Sequence, residues 1–256
     1  MTMSQQAVRV QVNLLGAWVD PVAREDAISR ILEWCRTGVK HYVVTPNLDH
    51  CRMLRRDDRL AAAYNQSGLV IPDGWPLIAA SCQAAARGGF SVFFLGSTND
   101  TLNGAADVLR SRAPGLKIAG LYSPPFGFHK DEAERDKINA LITEARPDIV
   151  FVALGAPKQE LWMSEHVPSL PIKAALGIGA SLDFLAGKQH RAPSVVQAAG
   201  LEWLWRALSN PRRLGKRYLA CIVSLPELFL DHLKRHLLTK HDTVRQLEAV
   251  QPATAV

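Results

Sequence analysis

Short apolar segments alternate with helical patterns along most of the chain before residue 190. Apolar residues also recur at helical spacing between these segments, as Ala27, Ile28, Ile31 and Leu32 do within residues 24–36. This alternation predicts a Rossmann-like α/β fold, a mostly parallel sheet flanked by helices with right-handed crossovers. The predicted strands are residues 8–15, 42–44, 69–71, 91–95, 117–121, 149–154 and 172–176.

The segment 149–154 is the clearest predicted strand. It is a run of apolar residues rich in β-branched and aromatic side chains, which is typical of a parallel strand covered on both faces. Gly155 permits a sharp turn, Pro157 suits the start of a helix, and Lys158 and Gln159 follow at once. Open α/β sheets bind ligands at such strand ends, although an ordinary solvated loop would give the same local pattern.

Polar residues follow the other predicted strands in the same way. Because the carboxyl ends of parallel strands share one edge of a sheet, we expect these groups to line one cleft. The helix after the second strand is predicted to run on to about residue 66. Asp57 and Asp58 are expected in the middle of this helix, with their side chains at the protein surface. The recurring polar groups are Thr45 with Asn47, Asp73, Ser97 with Thr98 after Gly96, Lys158 with Gln159, and Asp183.

Asp73 is the best candidate for a general base. It lies on a Pro-Asp-Gly turn between the apolar residues Ile71 and Trp75, and such surroundings raise the pKa of a carboxyl group. The alternative is a turn-forming aspartate before a glycine, which is common in proteins.

The C-terminal part of the chain differs from the rest in charge. The whole chain carries a net charge of +6, and residues 201–240 contain eight Lys or Arg against three Asp or Glu. Residues 218–238 form a predicted amphipathic helix, which would lie on an anionic membrane surface, or pack on the protein's own core or in an oligomer interface. We therefore divide the chain into an α/β catalytic core, residues 1–198, and a basic helical appendage, residues 199–256.

Several function classes lack their signatures. The four cysteines are far apart without a CxxC pair, the N-terminus has no apolar signal segment, and no apolar run of about 18 residues could span a membrane. Gly177 and Gly179 resemble the start of a dinucleotide fingerprint, but Leu182 occupies the position of its third glycine. These features predict a cytoplasmic protein without a metal site or cofactor.

Seven motifs occur in an order that resembles the WecG/TagA/CpsF family of bacterial glycosyltransferases. The resemblance extends over roughly residues 8–218 and is specific because the motifs occur in combination. They are Thr45-Pro-Asn47, Pro72-Asp-Gly74, Leu154-Gly-Ala-Pro-Lys-Gln-Glu160, Gly177-Ile-Gly-Ala-Ser-Leu-Asp-Phe-Leu-Ala-Gly187, Arg191-Ala-Pro193, Gly200-Leu-Glu-Trp-Leu-Trp-Arg206 and Pro211-Arg-Arg-Leu-Gly-Lys-Arg-Tyr218.

The resemblance implies an inverting, metal-independent transferase of bacterial cell-surface or exopolysaccharide synthesis. Such an enzyme moves a hexose-type sugar from a UDP-sugar to a polyprenyl-diphosphate-linked saccharide. It would work at the inner face of the cytoplasmic membrane as a peripheral protein, with a homo-oligomer as one arrangement. The resemblance is compatible with three donors, which are UDP-glucose, UDP-N-acetylmannosamine and UDP-N-acetylmannosaminuronate.

The resemblance also implies roles for particular residues. Without a metal, arginines and helix N-termini must stabilise the departing diphosphate. The implied catalytic set is Asp73 as base, Thr45 and Asn47 beside it, and the arginines Arg206, Arg213 and Arg217. The implied substrate-binding set is Gln159 and Asp183 as UDP contacts, the latter at the uracil, an aromatic residue of segment 122–128 such as Phe126 stacked on the base, and Gly96, Gly155 and Lys158.

Two other classes remain as alternatives. The sequence pI of 9.3 and the basic C-terminal segment suggest nucleic-acid binding, but the charge is confined to one segment and no recognised module is present. A Rossmann-type oxidoreductase is the third class, and the incomplete glycine fingerprint disfavours it.

Overall fold

The computed structural model describes residues 9–72, 75–188, 205, 211–238 and 244–247. The strands are β1 (Arg9–Leu14), β2 (Ala17–Val19), β3 (His41–Val44), β4 (Leu69–Val70), β5 (Ser91–Gly96), β6 (Lys117–Tyr122), β7 (Ile149–Ala153), β8 (Ala174–Gly177) and β9 (Val244–Leu247). The helices are α1 (Arg24–Thr37), α2 (Leu48–Leu54), α3 (Asp58–Gln66), α4 (Trp75–Gly88), α5 (Asn99–Arg112), α6 (Glu132–Ala145), α7 (Lys158–His166), α8 (Ser181–Leu185) and α9 (Pro211–Leu238), with a 3₁₀ turn at Phe128–Lys130.

Six strands form the predicted parallel sheet, in the order β4-β3-β8-β7-β5-β6. The chain first lays down β3 and β4 on one side and β5 and β6 on the other, and β7 and β8 then fill the space between them. All five residues of β7 are buried, as its continuous apolar run predicted. The α/β prediction is confirmed.

Apolar side chains form one core layer on each face of the sheet. Side chains of β7 alternate between the layers: Val150 and Val152 pack toward α3, α6 and α7, whereas Phe151 packs toward α1, α4 and α5. The ring of Phe151 stacks on Phe94, with centroids 5.1 Å apart and planes inclined by 13°. A sheet covered on both faces leaves its strand ends as the place where polar loops meet.

The first strand does not join the parallel sheet, contrary to the prediction. β1 pairs antiparallel with β2 and, on its other side, with β9. Leu15 and Gly16 reverse the chain with φ angles of 53° and 95°, and the Gly16 N–H donates to Asn13 Oδ1 over 3.0 Å. β9 was not predicted, so the C-terminal segment contains a strand as well as a helix.

A buried ion pair attaches this small sheet to the edge of the large one. Arg9 donates to both carboxylate oxygens of Asp20, and it also donates to the Ser67 carbonyl over 2.5 Å. Asp20 Oδ2 accepts the Val70 N–H over 2.7 Å, which satisfies a backbone donor of the edge strand β4. The β4 edge is therefore covered and cannot pair with another chain at this point.

The single helix predicted to end near residue 66 is divided in two. Asp57 is the N-cap of α3, where its carboxylate accepts the backbone N–H groups of Arg59 and Leu60. The prediction that Asp57 lies in the middle of one continuous helix is therefore wrong. A short carboxylate that can bond the next turn's N–H groups favours a new helix start over a continued helix.

Helix α9 has two different apolar faces, separated by about half a turn of helix. Cys221, Ser224 and Leu228 are buried at the contact with α2. The opposite face, at spacings of three and four residues, is exposed and carries Leu219, Ile222, Val223, Phe229 and Leu230. The first face satisfies the prediction of packing on the protein's own core, and the second is left without a partner among the described residues.

Candidate active site

The turns after β3 and β8 are joined directly. Thr45, the first residue after β3, donates its hydroxyl to the carbonyl of Gly177 over 2.7 Å. The neighbouring positions of β3 and β8 in the sheet make this contact possible. Thr45 is half-buried, so the hydroxyl position is set by the sheet and not by a mobile loop.

Asn47 caps the helix that starts at the same edge. Its side-chain oxygen accepts the N–H groups of Asp49 and His50 over 3.0 and 3.3 Å. In return, the Asn47 N–H donates to His50 Nδ1 over 3.2 Å, which completes a capping box. The cap holds Asn47 at the cleft, with its exposed edge toward solvent.

Gln159, the expected UDP contact, is buried and bonded within the protein. It is only 2% exposed, its Nε2 donates to Glu160 Oε1 over 2.7 Å, and its Oε1 accepts the Gly179 N–H over 3.1 Å. A side chain on Gly177 would come within 3.0 Å of Gln159 Nε2, so the absence of one permits this close approach. Gln159 therefore acts on the cleft by fixing the turn after β8.

These turns are connected by His50 and Glu160, which are not among the expected catalytic or substrate-binding residues. Glu160 is fully buried, and its Oε1 also faces His50 Nε2 at 3.1 Å. Burial and the nearby Glu160 carboxylate raise the pKa of the Tyr64 hydroxyl on the adjacent helix α3. A histidine three residues after an N-cap asparagine was the only available signal, and it is weak because Glu or Gln is usual at that position.

The turn after β5 completes the edge. Gly96 has a φ of 105°, and a Cβ there would lie 2.4 Å from the Ala153 carbonyl oxygen, so only glycine fits. Ser97 follows with a φ of 61°, donates its N–H to the Ala153 carbonyl over 3.0 Å, and accepts the Ser123 hydroxyl over 2.7 Å. These bonds join the ends of β5, β6 and β7.

Asp183 lies on α8 at the N-terminus of α5. The Thr101 hydroxyl faces Asp183 Oδ1 at 3.4 Å, and Thr98 is the N-cap of α5. Asp183 is half-buried and retains accessible surface. The expected nucleotide contact thus stands beside a helix N-terminus, where backbone N–H groups favour an anion.

An exposed aromatic ring and a lysine lie beside the strand-end turns. The Phe126 side chain is fully exposed, and Lys158 Nζ lies 5.6 Å from its ring centroid and 6.0 Å from that of Phe128. Lys158 is the first residue of α7, directly after the turn that Gly155 begins with a φ of 75°. A flat ring beside an ammonium group suits a nucleobase followed by a phosphate.

Four of the expected catalytic residues cannot be placed fully. Asp73 and Arg206 lie outside the described residues, as do the side chains of Arg213 and Arg217, whose backbones are in the first turns of α9. Cys221 Sγ lies 3.7 Å from Asp49 Oδ1, so α9 packs on α2, the helix that starts at the Asn47 cap.

Arg55 also holds α9 on α2. Its Nη2 lies 3.2 Å from Glu227 Oε1 and 2.5 Å from Asp231 Oδ2. The side chains of Arg55, Glu227 and Asp231 are 30, 58 and 37% exposed, so solvent screens these ion pairs.

A separate groove of about 420 Å³ lies between α1 and α4, away from the strand ends. Its polar side chains, which include Glu25, Ser29, Arg36 and Arg87, are all exposed. It therefore has the character of a solvated helix contact, and the polar groups that converge lie instead at the strand ends.

The described residues contain neither a cluster of metal ligands nor a membrane-spanning helix. No group of three or more His, Cys, Asp or Glu side chains is arranged to hold a metal ion within the described residues. Among the described helices, none combines the length and the hydrophobicity that a membrane crossing needs.

Comparison with known proteins places the chain among glycosyltransferases. The model of the glycosyl transferase WecG/TagA/CpsF family matches residues 12–82 and 77–242, which include every described strand-end turn discussed above. The chain is 25% identical over 238 residues to the N-acetylglucosaminyldiphosphoundecaprenol N-acetyl-beta-D-mannosaminyltransferase of Staphylococcus aureus strain MRSA252, an alignment that covers 84% of this chain and 91% of the relative. The proteins of the same name from strains MW2 and NCTC 8325 / PS 47 show the same identity and coverage.

Proposed function

Because the chain belongs to the glycosyl transferase WecG/TagA/CpsF family, we propose that it transfers a hexose-type sugar from a UDP-sugar to a polyprenyl-diphosphate-linked saccharide. The printed name of the relatives makes N-acetylmannosamine the first donor sugar to test. The same name makes an N-acetylglucosaminyl-diphosphate lipid the first acceptor. The observation that carries the proposal is that the turns after β3, β5, β7 and β8 meet at one sheet edge. These turns hold Thr45, Asn47 and every expected substrate-binding residue except Phe126.

The proposed reaction is a single displacement. Asp73 removes the proton of the acceptor hydroxyl, whose oxygen attacks the anomeric carbon on the face opposite the UDP. The bond from the anomeric carbon to the diphosphate oxygen breaks, UDP leaves, and the configuration inverts. Thr45 and Asn47, held by the β8 carbonyl and the α2 cap, flank the reacting groups.

Positive charge is needed where the diphosphate departs. Arg206, Arg213 and Arg217 supply it in the proposal, since guanidinium forks match phosphate oxygens. The contact of α9 with α2 supports a location of Arg213 and Arg217 near the cleft, because both belong to the helix that packs beside the Asn47 cap. Arginine and backbone N–H groups would replace a metal in this role.

The nucleotide would bind at the segments that follow β6, β7 and β8. Phe126 stacks on the uracil, Lys158 approaches the diphosphate, and Asp183 bonds the base. The exposure of Phe126 and its 5.6 Å distance from the ammonium group support this arrangement. Gly96 and Gly155 contribute through the turns that their positive φ angles permit, and Gln159 contributes through the turn that it fixes.

The outer face of α9 supports a peripheral membrane location. Its exposed apolar residues form one stripe on a helix that also carries Lys234 at the surface. A lipid-linked acceptor would be reached at the membrane surface, where such a helix inserts its apolar face among headgroups. The nucleic-acid and oxidoreductase alternatives gain no comparable support from the described residues.

A UDP-release assay tests the reaction class. The purified chain is incubated with UDP-glucose, UDP-N-acetylmannosamine or UDP-N-acetylmannosaminuronate, with and without an N-acetylglucosaminyl-diphosphate-polyprenyl acceptor, in EDTA. We expect acceptor-dependent UDP release with one donor. Absence of release with every donor, together with absence of UDP binding by calorimetry, would refute the proposal.

The base is tested by Asp73→Asn. We expect turnover to fall by about a hundredfold to ten-thousandfold, the usual range for a positioned base. The Kd for UDP should change less than about threefold, because the base acts in the chemical step. Asp58→Asn, at the exposed start of α3, is the matched control and should keep full turnover. Turnover of the Asp73 variant near that of the control would remove Asp73 from the mechanism.

A further inference from the structure

A continuous buried chain of polar groups runs beneath the cleft. It passes from Asn47 to His50, from His50 to Glu160, from Glu160 to Gln159, and from Gln159 to the backbone of Gly179. The donor–acceptor distances along it are 3.2, 3.1, 2.7 and 3.1 Å. The chain links the turns after β3, β7 and β8, three adjacent strands of the sheet.

The contact with Glu160 indicates a proton on His50 Nε2, because this atom faces a carboxylate oxygen, which accepts hydrogen bonds. On the other side of the ring, Nδ1 lies 3.2 Å from the Asn47 backbone N and 2.9 Å from Asn47 Oδ1. The Nε2–H points at Glu160 Oε1, which also accepts from Gln159. One carboxylate oxygen thus holds the imidazole of α2 and the amide of α7 at the same time.

The chain is too deeply buried to serve as a ligand contact. His50, Gln159 and Glu160 are 3, 2 and 0% exposed. Glu160 Oε2 has no hydrogen-bond partner, so the carboxylate is only partly compensated for its loss of water. A fold that needed only packing here would be served as well by apolar side chains of similar volume. The polar groups therefore point to a positioning role.

We infer that His50 and Glu160 form a buried positioning pair that holds Asn47, Gln159 and Gly179 in one fixed arrangement, so that the two halves of the cleft move as a unit. This inference rests on the proposed function for its catalytic consequence. The acceptor side, at Asn47, and the nucleotide side, at the turn after β8, then keep their mutual distance during the reaction. A pair placed on helices and strand ends meets the demand for a rigid support beneath a reacting centre.

Two substitutions of the histidine separate its two contacts. The amide of His50→Asn reaches only as far as Nδ1 and keeps the Asn47 contact, whereas the amide of His50→Gln reaches the position of Nε2 and keeps the Glu160 contact. If the link between the turns matters, both variants lose about tenfold or more in kcat/KM, as expected for displaced reacting groups. If His50 serves only to cap α2, His50→Asn keeps wild-type kcat/KM, and that result overturns the inference.

His166→Asn is the matched control for lost stability. It removes another largely buried imidazole from α7, the helix that carries Glu160, but from the far end of that helix. We expect it to lower Tm, because a largely buried contact is lost, while kcat/KM stays within about twofold of wild type, because His166 lies at the end of α7 away from the cleft. A loss of activity equal to that of His50→Asn would show that instability alone explains both, which contradicts the inference.

A readout that needs no substrate separates this inference from the proposed function. Long-range ¹H–¹⁵N spectra of histidine-labelled protein should show His50 with its proton on Nε2, and Glu160→Ala should abolish that defined state. A His50 ring without a proton on Nε2 would refute the pair whether or not the chain transfers a sugar. Inactivity of the wild-type chain with every donor, combined with the expected His50 signal, would refute only the proposed function.

Discussion

Strand β7 and helix α9 are both rich in apolar residues, but the fold accounts for them differently. Every residue of β7 is buried, and its side chains fill the two core layers in turn. On α9, Leu228 is 3% exposed and its neighbour Phe229 is 56% exposed. The strand is covered on both faces within the protein, whereas one apolar face of the helix is exposed to water.

Polar contacts also differ between the body of the protein and α9, being buried in the first and exposed to solvent in the second. Beneath the cleft, the Glu160 carboxylate is fully buried and bonded to two side chains. At the appendage, Arg55 meets Glu227 and Asp231 at a contact open to solvent. Buried groups of the first kind specify one geometry, while solvated pairs of the second kind contribute little free energy and can be exchanged. The core is therefore built to be rigid and α9 to be adaptable.

The largest effect is expected from Phe151→Ala in β7. The substitution removes a fully buried ring that stacks on Phe94 and leaves a cavity between sheet and helices. We expect a loss of about 3–5 kcal/mol in the free energy of unfolding. Urea denaturation measures it, and a loss below 1 kcal/mol or so would mean that the core layer can collapse around the gap.

The two faces of α9 are compared by Leu228→Ala and Phe229→Ala. We expect Leu228→Ala to cost about 2–3 kcal/mol, because it opens a cavity against α2. Phe229→Ala should cost less than about 0.5 kcal/mol and instead reduce co-sedimentation with anionic liposomes. The same phenylalanine-to-alanine change would then greatly lower the free energy of unfolding in β7 and hardly change it in α9.

Unchanged liposome binding by Phe229→Ala, and by Val223→Ser on the same stripe, would contradict the membrane role of this face. Point substitutions are preferable to deletion from residue 218 onward. Such a deletion would also remove β9 and expose the edge of β1 that β9 covers.

A smaller effect is expected from Arg55→Ala. The loss removes both ion pairs to α9 at a solvent-exposed contact, so the global free energy of unfolding should fall by less than about 1 kcal/mol. Amide hydrogen exchange in α9 should nevertheless speed up, because the helix loses its polar attachment to α2. Arg56→Ala, one residue along, is the control, and equal exchange in the two variants would refute the attachment.

The smallest effect concerns pH and the half-buried carboxyl of Asp148, just before β7. Burial alone would raise its pKa, but the Lys173 ammonium and the Ser91 N–H and hydroxyl groups outweigh burial and hold the pKa below its usual value. The resulting stability is complete above the ordinary Asp range near pH 4 and is lost as pH falls through the lowered pKa.

The change should be below about 1 kcal/mol, since Lys173 is 39% exposed. Asp148→Asn should flatten this part of the pH dependence in urea unfolding. An equally steep dependence in that variant would assign it to other carboxyl groups.

Strand positions in the core were predictable because each strand carries its own signal. The apolar run at residues 149–154 and the turn residues after it are local features, and β7 and α7 form where they predicted. The N-terminal strand was also visible, but its partners were not. Pairing with β2 and β9 depends on a chain reversal at Leu15 and Gly16 and on a segment more than 200 residues away.

The sequence predicted where the candidate site lies, but not the hydrogen bonds that connect its residues. Thr45, Asn47, Gly96, Lys158 and Asp183 stand at strand ends, as the sequence predicted. The two hydrogen bonds that hold the buried Gln159 side chain could not be foreseen. They depend on Gly177 admitting the amide and on Glu160 lying beside His50, 110 positions away in the chain.

The sequence by itself determined the α/β class, the positions of the sheet's strands, the turns that carry polar residues and the family resemblance. Each of these is written in residues that are neighbours along the chain, through periodicity, turn chemistry and motif spacing. Only the tertiary structure decided the insertion of β7 and β8 between β3 and β5, the clasp of β9 on β1, the two faces of α9 and the buried chain from Asn47 to Gly179. These depend on which distant residues come within hydrogen-bond or van der Waals distance, and that proximity is a property of packing, not of local sequence.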